Sequence, residues 1–412
     1  MMSVSDYNLV RKRRVFYIPG YDPVHPRRYR EIYRVQSAKQ AEISGYSIRQ
    51  TAKKTSKIFG WKVNATIDGS DVIAEIDVLR WSDIVHDSMK TSVLATYWQL
   101  LRTAWIYIST GTLWRLMSMR KGPVIAALYP FGMLFIQLFV SIGFSVILKN
   151  LVKSVFIPHL GVVGYLIALA AGFGLFIAML NWFRKQDNKI FAYYLMHDYA
   201  FSAQWLGAYS PALETRMSMF AMIIADSMAD DVDEILIVGH SSGAHLAVSI
   251  IADLLRTDRI PKDGPSVGFL SLGQVVPMMS FLPNAHRLRA DLAYLSVQHI
   301  ITWVDVSAPG DGCAFALCDP VAVSCKKIDN KIWPLVISAA FTQSLKPATL
   351  KAIRWRFFRL HFQYLCAFDR PKDYDYFKIT GGPMTLSDRY SNRLPSKSRI
   401  DVTVSKHTNT VP

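Results

Sequence analysis

The sequence has few cysteines, and its first residues lack the pattern expected of a secretory signal. Its four cysteines in 412 residues have neither the paired CxxC spacing of a zinc site nor the density of a disulfide scaffold. Residues 1–23 contain a basic run but no apolar core or small-residue cleavage site, which predicts no export by that route. We therefore expect reduced thiols in a cytoplasmic setting, with no metal site and no cofactor.

Acidic residues are also scarce relative to basic ones. Lys and Arg total 47 against 31 Asp and Glu, a net charge of +16, which favours an anionic partner. Arg alternates with aromatic residues in KAIRWRFFRL (351–360), as it can in nucleic-acid-binding surfaces. Because the chain also contains long apolar runs, anionic lipid explains the charge more simply. The predicted partner is a membrane, not a nucleic acid.

Two long apolar runs interrupt the chain. Residues 123–148 and 160–183 contain no charged side chain, and each run is long enough for a helix to cross the hydrocarbon core of a bilayer. Gly164, Ala168 and Gly172 recur at four-residue spacing in the second run, which allows two helices to approach closely in lipid. These features predict a transmembrane helical hairpin over residues 121–184.

Basic residues around the hairpin predict its orientation, because Lys and Arg accumulate on the cytoplasmic side of membranes. More of them flank the hairpin than lie in the link between its helices. The flanking residues are Arg115, Arg120, Lys121, Arg184, Lys185 and Lys189, and those in the link are Lys149 and Lys153. We expect a multi-pass protein of the inner or cytoplasmic membrane with its soluble parts in the cytoplasm.

The residues just before the hairpin, 91–120, have the pattern of an amphipathic helix. Leu94, Trp98, Leu101 and Trp105 recur at helical spacing. Two interpretations fit equally well: a helix at the membrane interface, or a helix whose aromatic stripe packs on the soluble core.

Strand and helix patterns alternate on both sides of the hairpin. Before it, VFYIPG precedes a charged helix, and KVNATI and VIAEIDVL flank an Asp68-Gly69 turn as in a β-hairpin. After it, a Met-rich helix over 211–229 leads to the strand EILIVG and the helix AHLAVSIIADLLR. Two further strands follow, SVGFLSLG and HIITWVDV, with a helix between them.

This alternation predicts an α/β fold with a mainly parallel sheet flanked by helices. Residues 1–90 and 185–390 would form the two parts of the α/β domain. Residues 391–412, rich in Ser, Thr, Lys and Arg, would form a mobile tail.

GHSSG, residues 239–243, lies directly between the strand EILIVG and the next helix. A serine nucleophile needs such a turn, which exposes the Oγ of Ser241 above the sheet while the glycines relieve backbone clashes. The amide of Ser242 begins the helix and would form half of an oxyanion hole. The amide of Tyr21, after Pro19-Gly20 in YIPGYDP, would form the other half. Pro19-Gly20 fits an ordinary turn equally well.

The order of strand, GHSSG and helix, with an early PG loop, resembles the α/β-hydrolase superfamily of serine hydrolases. The resemblance covers the parts outside the hairpin and implies a triad in the chain order nucleophile, acid and histidine. It implies an acid after a late strand, and SAPGDGCAFALCDP after HIITWVDV makes Asp311 the first choice, ahead of Asp305 and Asp319. The chain departs from the family in having Pro19 where a histidine often stands.

Only His361 and His407 follow all three aspartates, and His407 belongs to the predicted tail. The resemblance therefore implies His361 as the base, after a strand in IRWRFFRL. The same residues fit a basic helix, which would make His361 a structural residue. His240 and His245, within and just after the turn motif, are expected to have structural roles.

Together these residues predict a membrane-anchored serine esterase or lipase-like hydrolase. It would cleave a lipid-like or acyl ester through an acyl-enzyme intermediate. Two alternatives stay open: a catalytically inactive hydrolase fold that serves as a membrane scaffold, and an acyltransferase, in which an acceptor other than water takes the acyl group.

Overall fold

The computed structural model describes residues 9–53 and 58–411, and the chain forms two compact units. Unit 1 comprises Met1–His86, Thr110–Pro123 and Trp205–Pro412, and unit 2 comprises Asp87–Ser109 and Val124–Gln204. Residues 1–8 and 54–57 of the predicted N-terminal part, and residue 412 of the predicted tail, lie outside the described residues.

Unit 1 contains an eight-stranded sheet. The strands are β1 (Lys12–Ile18), β2 (Ser47–Ala52), β3 (Gly60–Ile67), β4 (Ser70–Val78), β5 (Glu234–His240), β6 (Ser266–Leu272), β7 (Ile301–Ser307) and β8 (Leu335–Ser338). Their spatial order is β2-β3-β4-β1-β5-β6-β7-β8. β3 pairs antiparallel with β2 and β4, and all other neighbours pair in parallel. The predicted α/β fold with a mainly parallel sheet is confirmed.

Helices make up most of the remaining regular structure. In chain order they are α1 (Arg27–Ser44), α2 (Ser82–Ser88), α3 (Val93–Ser109), α4 (Thr112–Met119), α5 (Lys121–Leu160), α6 (Val162–Lys185), α7 (Asp187–Ile190), α8 (Ala192–Ala203), α9 (Pro211–Asp226), α10 (Gly243–Arg256), α11 (Val276–Ser280), α12 (His286–Leu295), α13 (Pro320–Ser324), α14 (Phe341–Ser344), α15 (Pro347–Ile353), α16 (Phe357–His361), α17 (Tyr376–Gly381) and α18 (Leu386–Tyr390).

Helices cover both faces of the sheet. α10 packs on β5 and β1, while α1 and α17 supply Tyr33 and Phe377 to a cluster with Val15 and Trp61 on the sheet. Every residue of β5 is buried, as expected for a parallel strand covered on both faces. The predicted β-hairpin of β3 and β4 also forms, and its turn residues Asp68 and Gly69 have φ angles of 52° and 77°.

The carboxyl ends of the central strands bring several loops to one edge of the sheet. β1, β5, β6 and β7 are parallel neighbours in that order. The residues that follow them, Pro19-Gly20, Ser241, Gly273 and the loop 308–319, therefore lie along the same edge. Open α/β sheets bind ligands at this edge.

Unit 2 contains α5 and α6, the two described helices that are long and apolar enough to span a membrane. A link was predicted over residues 150–159, but α5 continues through these residues as a helix and the chain turns at Gly161. The two helices approach each other closely at Gly164 and Gly172. A Cβ at Gly164 would lie 2.5 Å from Phe156 O, and one at Gly172 would lie 3.0 Å from Lys149 Cβ.

The predicted single helix over residues 91–120 is two helices, α3 and α4. The chain breaks between them at Gly111, which has a φ of 76°. On α3, Trp98 is 67% exposed and Trp105 is 71% exposed, and Leu94 and Leu101 are exposed as well. Within unit 2, which contains α3, the stripe is therefore not covered by the other described helices.

The terminal segment predicted to be a mobile tail makes hydrogen bonds within unit 1. Ile400 forms an isolated bridge with Cys318, and Arg289 Nε donates to Asn409 O over 2.7 Å. These contacts hold the segment against unit 1, although its described residues, 391–411, form no helix or strand.

Candidate functional site

Ser241 occupies a strained corner between β5 and α10. Its φ is 57°, in the left-handed region that costs a residue with a Cβ about 1–2 kcal/mol. The corner is held on both sides, because Ser241 N donates to Leu272 O over 2.9 Å and Ala244 N donates to Ser241 O over 3.1 Å. The Ser241 side chain is thereby fixed at the carboxyl end of the sheet, where it is half-buried.

The two glycines of GHSSG are required by the packing of this corner. A Cβ at Gly239 would lie 2.7 Å from Ala244 Cα. A Cβ at Gly243 would lie 2.1 Å from Ile18 O and 2.7 Å from Pro19 O, at the end of β1. The absence of side chains therefore lets the first turn of α10 press directly on the end of β1.

The loop after β1 lies against Ser241. A Cβ at Gly20 would lie 2.9 Å from Ser241 Cβ and 3.4 Å from Ser241 Oγ. Trp81 Nε1 donates to Pro19 O over 2.8 Å, and the Tyr21 ring is buried beside the Trp81 ring with centroids 6.1 Å apart. The structure thus brings together Ser241, Ser242 and the Gly20-Tyr21 segment, the residues predicted for the nucleophile and the oxyanion hole.

Asp311 and His361 form a buried pair. His361 Nδ1 and Asp311 Oδ2 are 2.8 Å apart, and because a carboxylate only accepts, Nδ1 carries the hydrogen. Tyr364 Oη donates to the same Asp311 oxygen over 3.0 Å, and Cys313 N donates to Asp311 Oδ1 over 2.9 Å. Three hydrogen-bond donors therefore stabilise the buried carboxylate of Asp311.

His361 lies at the end of the short helix α16, so the strand predicted before it is wrong. The alternative, a helix over these residues, is the one that forms, and the His361 imidazole reaches Asp311 from its end. His361 Nε2 is buried and has no hydrogen-bond partner among the described residues. A basic nitrogen with a vacant lone pair therefore lies at this site.

Two contacts relate the His361 ring to the Ser241 corner. The His240 ring stacks on it with centroids 4.8 Å apart and planes at 29°. A Cβ at Gly273 would lie 3.1 Å from His361 Cε1, and Gly273 follows Leu272, whose carbonyl accepts from Ser241 N. His240, which precedes Ser241, thus contacts the imidazole, and Gly273, which follows Leu272, leaves room for it.

The other two candidate acids have different partners. Asp305 lies on β7 and accepts from Ser271 Oγ over 2.6 Å, and burial raises its pKa to about 7. Asp319 caps α13 through the amides of Val321 and Ala322 and pairs with Lys331 Nζ. Of the three aspartates, the structure brings Asp311 to His361.

The histidines expected to be structural are both buried. Burial lowers the pKa of His245 to about 3 and, with the nearby His361, lowers the pKa of His240 well below its usual range. His240 also contacts His361 O through Nε2 over 3.2 Å and Tyr17 Oη through Nδ1 over 3.3 Å. His240 is therefore uncharged, and it packs against the segment that carries His361.

Sequence reasoning did not single out Tyr364 or Cys313. Tyr364 Oη accepts from Ala308 N over 3.0 Å while it donates to Asp311, so it ties the loop after β7 to the His361 segment. Burial and the Asp311 charge raise the pKa of Tyr364 well above its usual range, which keeps its hydroxyl a donor. Cys313 contributes a sulfur near the same pair. Asp311, Cys313 and His361 could hold a metal ion, since one ligand atom from each lies within 4.8 Å of the others.

Comparison with protein families, with curated proteins and with solved structures finds no match to this chain. Any function assigned to it therefore depends on the arrangement of its own residues around Ser241.

Proposed function

We propose that the chain is a membrane-anchored serine hydrolase of the α/β-hydrolase type that cleaves a carboxylic ester. The observation that carries the proposal is the Ser241 corner, where a non-glycine residue has a φ of 57° between a buried strand and a helix. Strain of this kind persists only where the surrounding packing enforces it, and it is concentrated at functional sites. The buried pair of Asp311 and His361, next to residues that flank Ser241, supports the same conclusion.

In the proposed first step, Ser241 Oγ attacks the ester carbonyl carbon as its proton moves to His361 Nε2. The vacant lone pair on Nε2 suits this role, because the Nδ1 hydrogen is already committed to Asp311. Asp311 keeps the imidazole in this tautomer and stabilises the imidazolium that forms. The structure has no hydrogen bond from Ser241 to His361 Nε2 among the described residues, and we expect this bond to form in the substrate complex, because such bonds often tighten only there.

The tetrahedral intermediate carries a negative charge on the former carbonyl oxygen. Ser242 is the N-cap of α10, at the helix end where amides have no acceptor within the helix and the dipole favours an anion. The Tyr21 amide, in the loop that touches Ser241, would be the second donor. Each such donor contributes about 2.7–4 kcal/mol in well-studied hydrolases.

Collapse of the intermediate breaks the ester C–O bond, and His361 gives its proton to the leaving alkoxide. Ser241 then carries the acyl group. Water attacks this ester with His361 again taking a proton, and the acid product leaves as Ser241 Oγ recovers its hydrogen. The cycle needs no cofactor.

The membrane anchorage rests on unit 2. α5 and α6 are long, apolar and largely exposed, and α3 presents exposed Trp98 and Trp105. Exposed apolar surface of this extent is stable in lipid, and tryptophan favours the interface. A protein tethered in this way meets lipid-like and acyl esters at high local concentration, which makes them the proposed substrate class.

A fluorophosphonate probe tests the proposal, because it reacts only with activated serines. The full chain in detergent should be labelled, Ser241→Ala should abolish labelling, and Ser391→Ala, at an exposed serine on unit 1, should leave it unchanged. Absence of labelling in folded wild-type protein would favour the inactive scaffold instead.

A further inference from the structure

We propose that Asp311, Cys313 and His361 bind a zinc ion, and that the bound ion inhibits the hydrolase. The site is a loop-and-helix cluster, with two residues from the loop after β7 and one from the end of α16. One ligand atom from each residue lies within 4.8 Å of the other two. The proposed zinc binding stands on this geometry, whereas the inhibition rests on the proposed function.

The donor set selects the metal. An imidazole nitrogen, a thiolate sulfur and a carboxylate oxygen suit Zn²⁺, whereas Mg²⁺ and Ca²⁺ prefer oxygen ligands. Tetrahedral Zn²⁺ with bond lengths near 2.0–2.3 Å requires neighbouring ligand atoms to be roughly 3–4 Å apart. Movements of about 1 Å at the Cys313 side chain reach that spacing. Three protein ligands leave the fourth position for water.

The environment of the ligands also favours a reversible site. His361 Nδ1 lies 2.8 Å from Asp311 Oδ2, so one ion can bind both atoms in place of the hydrogen between them. The hydrogen that leaves Nδ1 can move to Nε2, which is buried and has no hydrogen-bond partner among the described residues. Cys313 is half-buried, which leaves the ion a route from solvent, and none of the four cysteines forms a disulfide. Burial raises the pKa of Cys318 and of Cys325 to about 12, so these two thiols are poor metal ligands.

Zinc and catalysis compete for the same imidazole. The ion binds Nδ1, the nitrogen beside Asp311, and the hydrogen there moves to Nε2, which becomes a donor. Cys313 releases its thiol proton to solvent as the zinc–sulfur bond forms. The bound protein therefore has no general base at Ser241.

Two measurements on the full chain in detergent test the inference. Equilibrium dialysis against zinc chloride, with protein-bound metal quantified by mass spectrometry, measures binding alone. The rate of fluorophosphonate labelling at each zinc concentration, relative to the metal-free rate of the same variant, measures inhibition. Magnesium chloride serves as the control ion, and a chelator tests reversibility.

We expect one bound zinc per chain and labelling that slows at least ten-fold at saturation and recovers with chelator. Cys313→Ser should weaken zinc binding by about ten-fold or more, because a hydroxyl is a poor ligand for Zn²⁺. Cys325→Ser, a matched change at a buried thiol that donates to Arg289 O, should bind zinc as the wild type does. Ser241→Ala should also keep its zinc affinity, since Ser241 is not a ligand.

Absence of bound zinc, or binding that Cys313→Ser leaves unchanged, would overturn the inference while leaving the hydrolase proposal intact. Zinc binding without slower labelling would overturn the inhibition. If the wild type is never labelled, the proposed function fails, and dialysis alone still decides whether the metal site exists.

Discussion

Replacing Gly243 by alanine should disrupt the Ser241 corner. The new Cβ would lie 2.1 Å from Ile18 O and 2.7 Å from Pro19 O, both backbone atoms that cannot rotate away. Relief of these contacts requires α10 and the end of β1 to separate by about 1 Å, and overpacking of this kind costs about 1–3 kcal/mol of stability. Because the same movement separates Ser241 and the Ser242 amide from the loop at Gly20, activity should fall about 100-fold.

The assay compares Gly243→Ala with Gly310→Ala. At Gly310 a Cβ meets nothing within 4 Å, and its φ is not in the positive region, so this variant should keep its activity and its stability. Each protein is followed by thermal unfolding and by the rate of fluorophosphonate labelling. A Gly243→Ala protein that unfolds at the wild-type temperature and is labelled within two-fold of the wild-type rate would refute the proposed geometry.

Three other predictions concern Asp311, Asp305 and Gly164. Asp311→Asn should lower the rate of ester hydrolysis about 10⁴-fold, because Asp311 no longer holds the His361 hydrogen on Nδ1. Asp305→Asn should lower the rate less than about ten-fold. Equal effects of the two changes would contradict the choice of Asp311 as the acid. Asp305 has a pKa of about 7 in the folded protein, whereas an unfolded aspartate has a pKa of about 4. Between these pH values the folded state keeps a proton that the unfolded state has lost. The free energy of unfolding should therefore fall as pH rises from about 4 to about 7. Asp305→Asn should flatten this fall in pH-dependent denaturation, and an unchanged slope would contradict it. In Gly164→Leu the new Cβ would lie 2.5 Å from Phe156 O, and this clash should reduce hydrogen-exchange protection in α6. A Cβ at Gly174, on the same helix, would meet nothing within 4 Å, so Gly174→Leu should leave that protection unchanged.

Local signals in the sequence predicted much of the sheet. The turn at Asp68 and Gly69 requires two positive φ angles in succession, and those residue types adopt them readily, so the β3–β4 hairpin could be placed from residue type alone. β2 and β8 were not predicted. β2 is an edge strand of mostly polar residues, and β8 has only four residues, so neither carries a strong periodic signal.

Features that depend on tertiary packing were harder to predict. α5 continues as a helix through Lys149 and Lys153, although Pro158 lies within it, and the chain turns only at Gly161. The strand expected before His361 is helical because alternating Arg and aromatic residues fit both periods.

In the candidate site, too, some residues could be predicted from the sequence and others could not. Ser241, Asp311 and His361 could be selected from a motif and from chain order, since a nucleophile elbow has a local pattern. His240, Tyr364 and Cys313 join them through contacts between segments far apart in the chain, and no local pattern marks such residues. Their roles therefore became apparent only in three dimensions.

The most direct test of the central claim is to locate the fluorophosphonate adduct by tandem mass spectrometry of the labelled, folded wild-type chain. The proposed mechanism predicts one adduct per chain, on Ser241. An adduct on another residue, or none on protein whose fold is intact, would contradict it.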